Sequence, residues 1–156
     1  MIEIVVPGYR TLHLQHLVMD YNGTLARDGR LLDGVRPRLD NLADRLHLHM
    51  ITADTFGLAR EELAGVRCDL AVLPGDEQAT AKLAYIRNLS PEGVAAIGNG
   101  RNDRLMLRAA ALGIAVVQEE GAATETLSAA DVVMSDILSA LDMLLFPKRL
   151  IATLRT

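Results

Sequence analysis

Short apolar runs alternate with amphipathic stretches along most of this chain. The runs end at polar or glycine-rich turns and cover residues 17–19, 48–52, 69–73, 94–97, 114–117 and 131–134. Between several of them apolar residues recur at helical spacing, as Val35, Leu39 and Leu42 do. Buried strands separated by amphipathic helices are typical of right-handed βαβ units. The pattern therefore predicts an α/β protein whose mainly parallel sheet is flanked by helices on both faces.

Turn residues add detail to this pattern. The β-rich residues 2–6 and 11–14 flank Pro7-Gly8, which predicts an N-terminal β-hairpin, and Asp28-Gly29-Arg30 predicts a second tight turn. Further helices are predicted over residues 56–64, 77–88, 104–112 and 124–129 and from residue 137 onward, with Pro147 bending or dividing the last one. Because every connection is short, we expect one domain over residues 1–156 with no cap domain.

Composition narrows the class of protein. The chain has 156 residues, half of them apolar but only 3% aromatic, which predicts an aliphatic core. Its net charge of −4 and the lack of a Lys/Arg-rich run argue against nucleic acid as a partner. Cys68 is the only cysteine, which excludes an internal disulfide and fits a reducing compartment. With no signal peptide and no apolar run of about 20 residues, we expect a cytoplasmic protein without a membrane partner.

Polar residues follow four of the predicted strands. Asp20 and Thr52 each end an apolar run, Lys82 lies just beyond a third, and residues 98–103 form a glycine-rich turn after a fourth. The carboxyl ends of parallel strands share one edge of a sheet, so the four stretches can converge on one pocket. A carboxylate that can attack phosphorus, a hydroxyl and an ammonium suit phosphoryl transfer. An oxygen-rich turn can help to hold Mg²⁺.

In their order and spacing these stretches resemble the motifs of the haloacid dehalogenase superfamily of aspartate-nucleophile phosphatases and ATPases. The four motifs are Asp20-Tyr21-Asn22-Gly23-Thr24-Leu25, Ile51-Thr52, Lys82 and Gly98-Asn99-Gly100-Arg101-Asn102-Asp103. The chain resembles most narrowly the small proteins described as soluble P-type ATPases. The resemblance implies a Rossmann-like, capless fold and a Mg²⁺-dependent hydrolase of a phosphate compound, whose substrate would be a small phosphorylated molecule, ATP or a phosphoprotein. A neighbouring subunit often covers such a site, so a homo-oligomer is also an expectation.

The resemblance also implies a role for each site residue. Asp20 would be the nucleophile and a Mg²⁺ ligand, and Asn22 would offer its backbone carbonyl to the metal. Thr52 and Lys82 would bind the phosphoryl group and stabilise the phospho-intermediate. The other metal ligands would be Asn99 and Asp103, and the substrate-binding residues would be Tyr21, Gly23, Thr24, Ala53 and Asn102.

Two residues depart from the family pattern. Phosphatases of this family usually carry an Asp as general acid and base where this chain has Asn22, and an amide does not shuttle a proton at neutral pH. Because general acid–base groups typically contribute about 10² to 10⁴ in rate, we expect slow chemistry, and slow hydrolysis of the intermediate in particular. This fits either a slow hydrolase or a long-lived phospho-aspartate. Asn99 stands where the family usually has a metal-binding Asp, which removes one negative charge. We therefore expect weaker Mg²⁺ binding and a larger role for Asp103.

Plainer interpretations accompany each motif. Asp20 taken alone would be a turn residue, Thr52 a cap, Lys82 a solvated helix residue, and Asp54 an N-cap for the helix that follows. The turn at Gly98 also suggests a dinucleotide loop, but position 103 is Asp instead of the third glycine. The apolar stripe of Leu138, Leu141 and Leu145 fits either core or a subunit interface.

Three functions compete at this point. The first is a hydrolase that acts through phospho-Asp20. The second, motivated by Asn22 and Asn99, is a regulatory module that binds phosphate or accepts a phosphoryl group without useful turnover. The third is an assembly protein whose behaviour does not depend on Asp20.

Overall fold

A six-stranded, fully parallel sheet forms the centre of the fold, which the computed structural model describes over residues 1–53 and 57–156. An antiparallel hairpin of β1 (Ile2–Val5) and β2 (Thr11–Leu14) precedes the sheet. A smaller hairpin of β4 (Ala26–Arg27) and β5 (Arg30–Leu31) follows its first strand. The sheet strands are β3 (His16–Asp20), β6 (His47–Thr52), β7 (Asp69–Val72), β8 (Val94–Gly98), β9 (Leu112–Val116) and β10 (Val132–Met134). Their spatial order is β10-β9-β8-β3-β6-β7, so β3 lies in the middle.

Helices connect the strands in the predicted places. They are α1 (Val35–Ala43), α2 (Leu58–Glu62), α3 (Gln78–Asn88), α4 (Arg104–Ala109), α5 (Thr124–Ala129), α6 (Ile137–Leu145) and α7 (Pro147–Leu154). Pro147 divides the C-terminal helix, as predicted. In the described parts of the chain, no helix combines the length and the apolar character needed to cross a bilayer. The α/β fold, the parallel sheet and the N-terminal hairpin are thus confirmed.

Several predicted boundaries differ from the structure, most clearly at the end of α4. The helix predicted over residues 104–112 ends at Ala109, because Ala110 turns to an extended conformation and Leu112 begins β9. Gly113 of β9 packs against the Leu107 carbonyl of α4, where a side chain would have no room. The glycine thus allows the strand to pass close to the end of the helix. The predicted helix start at Phe56 and its proposed cap Asp54 lie outside the described residues, and α2 is described from Leu58.

The core lies on both faces of the sheet. On one face, Leu17 and Met19 of β3 pack in a cluster that includes the buried apolar residues of α1 and α6. On the other face, Val18 packs with Ile86 of α3 and Met106 of α4. The C-terminal stripe is core in this structure: Leu141 is fully buried, and Leu138 and Leu145 pack against the same cluster. Burial of this aliphatic surface from both sides holds the six strand ends in a fixed relation.

A hydrogen-bonded pair of histidines ties α3 to the sheet. His16 Nδ1 lies 3.0 Å from His49 Nε2, and His49 Nδ1 lies 3.0 Å from the Tyr85 hydroxyl. Burial, and after it the charge of His16, lowers the pKa of His49; burial, and after it His47, lowers the pKa of His16. Both rings are therefore held neutral in the folded chain, and the contact fixes α3 one helical turn beyond Lys82.

This pair makes stability depend on pH. An unfolded histidine takes up a proton near pH 6.5, whereas folded His16 and His49 do so only at lower pH, so the contribution of this pair to stability falls as pH decreases below about 6.5. We expect lowering the pH from 7.5 to 5.5 to change the unfolding free energy, measured by urea denaturation, less favourably in wild type than in His49→Leu. His13→Gln, at an exposed histidine, should keep the wild-type difference. An unchanged pH dependence in His49→Leu would contradict the assignment.

Candidate active site

Three neighbouring strands end at the candidate site. β3 pairs in parallel with β6 on one side and with β8 on the other, so Asp20, Thr52 and Asn99 reach the same edge of the sheet. Asp20 is the last residue of β3, and its side chain is only 13% exposed. Thr52 is the last residue of β6 and is buried, and Asn99 directly follows β8 and is also buried. The structure thus brings together the residues predicted at these three strand ends.

Lys82 reaches this edge from α3 and is almost completely buried. Its Nζ donates to Asp20 Oδ1 at 2.7 Å, to Asp103 Oδ1 at 2.7 Å and to Asn102 Oδ1 at 3.2 Å. Three acceptors match the three hydrogens of an ammonium group. A buried charge of this kind is tolerated only when it is paired and hydrogen-bonded. Lys82 is therefore not a solvated helix residue.

Asp103 is held in place by the turn that follows β8. Its side chain has no exposed surface, and its Oδ2 accepts hydrogen bonds from the backbone N–H groups of Asn99 (3.0 Å) and Gly100 (2.9 Å). Its Oδ1 accepts from Lys82, so both oxygens are engaged. Gly98 makes this possible, because a Cβ there would lie 2.5 Å from the Asp103 carboxyl carbon. The carboxylate fills the space that glycine leaves open.

Burial and a second carboxylate shift the acid–base equilibrium of Asp20. Burial, followed by the charge of Asp103, raises the pKa of Asp20 to about 7, although Lys82 opposes the shift. Burial alone would lower the pKa of Lys82, but the charges of Asp20 and Asp103 outweigh it and the pKa is raised. One ammonium thus stabilises two carboxylates, and the site carries excess negative charge when both are ionised.

The loop after Asp20 is braced from several sides. Thr24 is buried, with its Oγ1 3.5 Å from Asp20 Oδ2 and 3.2 Å from Asn99 Oδ1. The N–H of Gly23 donates to the Ala26 carbonyl at 2.8 Å. Tyr21 points away from the site: its ring is buried, its hydroxyl donates to the Gly29 carbonyl at 2.9 Å, and its N–H donates to the Ile51 carbonyl. The Tyr21 side chain therefore supports the loop by binding the Gly29 carbonyl. It does not face the site, where a substrate contact was expected.

The other expected residues are distributed around the edge. Asn22 is exposed beside the carboxylate of Asp20, and Ala53 is exposed just after β6. Asn102 is an exposed residue that touches Lys82 through its amide oxygen. The structure therefore gathers Asp20, Thr24, Lys82, Asn99, Asn102 and Asp103 by direct contacts, whereas Ala53 is placed at the edge by its position in the chain.

The oxygens near Asp20 suit a hard cation. Gly23 has a φ of 78°, and a Cβ there would lie 2.9 Å from Asn99 Nδ2 and 3.1 Å from Asn99 Oδ1 and would collide with the Glu120 carboxylate. The Glu120 carboxylate and the Asn99 amide thus border the space that Gly23 keeps open, with Asn99 Nδ2 slightly nearer than Oδ1. Carboxylate and amide oxygens are ligands that Mg²⁺ takes. Within residues 1–53 and 57–156, no three His, Cys, Asp or Glu side chains form a metal-binding group. A cation here would have to use amide and backbone oxygens as well.

Gln118 and Glu120 were missed in the sequence, although a signal was present. Both lie in the turn that follows β9, at the same edge of the sheet as Asp20. The Gln118 amide nitrogen donates to the carbonyls of Gly23 (3.0 Å) and Thr24 (2.9 Å). The carboxyl ends of parallel strands share one edge of a sheet. Polar residues that follow β9 could therefore have been predicted at the site in the same way as those that follow β3, β6 and β8.

Comparison with known proteins agrees with this architecture. A model described as haloacid dehalogenase-like hydrolase matches residues 77–137. The uncharacterized protein MJ0073 of Methanocaldococcus jannaschii is 47% identical over 79 residues, which cover 48% of this chain and 85% of that protein. The uncharacterized protein MJ0072 of the same organism is 41% identical over 42 residues, which cover 27% of this chain and 96% of that protein.

Two solved structures show the same fold over nearly the whole chain. The 3-deoxy-D-manno-octulosonate 8-phosphate phosphatase of Moraxella catarrhalis, in complex with magnesium, phosphate and KDO, superposes with a TM-score of 0.72 at 17% identity, covering 92% of this chain and 94% of that one. The cobalt-bound deoxy-D-mannose-octulosonate 8-phosphate phosphatase of Haemophilus influenzae gives 0.72 at 18% identity with the same coverage. The chain thus matches the haloacid dehalogenase-like hydrolase model over residues 77–137 and shares the fold of these two phosphatases over nearly its whole length.

Proposed function

We propose that this protein is a Mg²⁺-dependent phosphatase-type hydrolase that acts through an aspartyl-phosphate at Asp20, with residues 1–156 as one capless catalytic domain. The observation that carries the proposal is the buried Lys82 ammonium, 2.7 Å from Asp20 Oδ1, at the carboxyl edge of a parallel sheet. Phosphoryl transfer needs a positioned nucleophile and positive charge where negative charge gathers. Asp20 and Lys82 supply both in one contact.

The reaction has two steps. A carboxylate oxygen of Asp20 attacks the phosphorus, the bond from phosphorus to the leaving oxygen breaks, and the leaving group departs with the bond electrons. Water then attacks the phosphorus of the aspartyl-phosphate, releasing inorganic phosphate and restoring the Asp20 carboxylate. Thr52 and Lys82 bind the phosphoryl oxygens. Asn102 orients Lys82 by accepting one of its hydrogens.

Asn22 limits the leaving group. Its amide lies where the family usually places an acid and carries no proton to give at neutral pH. Departing groups that are stable as anions, such as those of acyl phosphates and phosphoanhydrides, need no such proton. We therefore propose a small phosphorylated molecule with a good leaving group as the substrate. The similar solved structures named for a phosphorylated sugar acid support the small-molecule class, and ATP and phosphoproteins are the alternatives.

The Mg²⁺ would be held by Asp20, the Asn22 carbonyl and the Asn99 amide oxygen, and it would offset charge on the phosphoryl oxygens. The divalent metals named for the similar solved structures support this choice. Asp103 was expected as a ligand, but both its oxygens already accept hydrogen bonds from Lys82 and the turn. We propose instead that Asp103 positions Lys82.

A second function is favoured by Asn22 together with the missing carboxylate at Asn99. Without an acid, hydrolysis of the intermediate is the slower step, and the protein could serve as a phospho-accepting regulatory module. A cytoplasmic location and a homo-oligomer in which a second copy covers the open site remain predictions.

Phosphate release tests the proposed function directly. Acetyl phosphate, p-nitrophenyl phosphate, glycerol phosphate and ATP are offered to wild type, Asp20→Asn and Asp28→Asn, with Mg²⁺ and with EDTA. We expect activity in wild type and Asp28→Asn only with Mg²⁺, none in Asp20→Asn, and faster turnover of acetyl phosphate than of glycerol phosphate. Wild-type activity no higher than that of folded Asp20→Asn would exclude the hydrolase and leave the regulatory module and the assembly protein.

Restoring the acid tests the role of Asn22. Asn22→Asp supplies a group that can protonate the leaving oxygen and then activate water, so we expect turnover of p-nitrophenyl phosphate to rise by about 10²-fold. The amount of alkali-labile phosphoprotein trapped by acid should fall in the same variant. Asn22→Gln, which keeps an amide, should show neither change. Equal rates in Asn22→Asp and wild type would mean that another group already provides the proton.

The raised pKa of Asp20 has a consequence for stability. A carboxyl whose folded pKa exceeds its unfolded value of about 4 costs stability as pH rises from about 4 to about 7. In EDTA at pH 8, we expect Asp20→Asn to be more stable than wild type by at least ~1 kcal/mol, measured by urea denaturation, and the gap to close near pH 4. Asp28→Asn, at an exposed carboxylate, should show no such gap. A less stable Asp20→Asn at pH 8 would show that the Lys82 ion pair outweighs the burial of Asp20.

A further inference from the structure

The turn over residues 118–121 is clamped against the loop that follows Asp20. At one end the Gln118 amide nitrogen donates to the Gly23 and Thr24 carbonyls, and its amide oxygen accepts from the Ile137 N–H at 2.8 Å. At the other end Asn99 Nδ2 donates to the Gly121 carbonyl at 3.1 Å. The N–H of Gly121 closes the turn on the Gln118 carbonyl at 2.8 Å. The turn is therefore built into the candidate site.

This clamp fixes the backbone on both sides of Glu120, whose side chain is exposed. Glu120 Oε2 and the Asn99 amide lie on the same side of Gly23. A Cβ at position 23 would collide with Glu120 Oε2 and lie unusually close to the Asn99 amide. Its neighbour Glu119 turns outward and pairs with Arg27. Among the described residues no hydrogen bond or ion pair engages Glu120. Within residues 1–53 and 57–156, an exposed carboxylate with no hydrogen bond or ion pair thus lies near the Asn99 amide.

The position matters because of the charge that Asn99 lacks. Asn99 Oδ1 is linked through the Thr24 hydroxyl to Asp20 Oδ2, over steps of 3.2 Å and 3.5 Å. A divalent cation among these oxygens meets only one carboxylate, because Asp103 is committed to Lys82. Carboxylate count strongly affects how tightly a hard cation binds. Glu120 would bring the number of carboxylates at the cation to two.

We infer that Glu120 supplies the second carboxylate of a divalent-cation site formed with Asp20 and Asn99, replacing from the turn after β9 the charge that is absent at position 99. The inference rests on the proposed function, since it assumes that the cation lies at Asp20. It assigns a metal-binding role to a residue outside the four motifs. It also accounts for the glycine at position 23, where a side chain would collide with the Glu120 carboxylate and crowd the Asn99 amide.

Mn²⁺ binding tests the inference without turnover, because electron paramagnetic resonance separates free from bound Mn²⁺. The proteins compared are wild type, Glu120→Gln, Asn99→Asp, the double variant, Asp20→Asn and Asp28→Asn. We expect Glu120→Gln to weaken Mn²⁺ binding by ~10-fold or more, the size of loss that even an outer-sphere partner can cause. Asn99→Asp should restore affinity in the Glu120→Gln background. Asp28→Asn, which removes an equal charge from the hairpin tip, should bind as wild type does.

The outcomes separate the inference from the proposed function. If Glu120→Gln binds Mn²⁺ as wild type does while Asp20→Asn loses binding, the cation site stands and the role of Glu120 is overturned. If Asp28→Asn weakens binding as much as Glu120→Gln, general charge explains the effect and the inference also falls. If Asp20→Asn binds Mn²⁺ as wild type does, no cation lies at Asp20, and the inference and the metal-dependent function fail together.

Discussion

One buried ammonium shared by two carboxylates is the contact on which this site depends. Lys82 is 2% exposed and Asp103 not at all, so neither charge tolerates the loss of the other. The surroundings are adapted to keep the pair: Gly98 leaves room for the carboxylate, two N–H groups of the turn bind it, and the His49–Tyr85 contact anchors α3. Asp20 joins the pair as a third charge, which is less well compensated. That imbalance supports the nucleophilic role proposed for Asp20.

The division of labour between Asn99 and Asp103 follows from the same contact. Both residues lie in one short turn after β8, and both could in principle face a cation. The turn is helical over Arg101–Asp103 and points the Asp103 carboxylate back towards Gly98 and Lys82. Asn99 is left facing Thr24 and Gly121. The side with the amide therefore borders the candidate cation space, and the side with the carboxylate does not.

The fold and the position of most site residues could be predicted from the sequence, because both follow from local patterns of apolar and polar residues. An apolar run that ends in a carboxylate predicts β3 and Asp20, and parallel order brings Thr52 and Asn99 to the same edge. The inward turn of Tyr21 was not predictable, because it depends on the Gly29 carbonyl of a hairpin that comes later in the chain. The role of Asp103 depends on a helical turn that no residue type demands. Glu120 escaped notice because a Glu-Glu pair in a loop usually faces solvent.

The buried charge cluster also constrains how the chain can fold. Lys82 is separated by 62 residues from Asp20 and by 21 from Asp103, so the cluster closes only after β3, α3 and the turn after β8 have come together. In the unfolded chain, water solvates each of these charged groups better than a single partner would. The ion pairs therefore contribute little stability until apolar residues have packed around them. We therefore expect the cluster to assemble late in folding. Asp20 would then acquire its buried environment only in the step that completes the native packing.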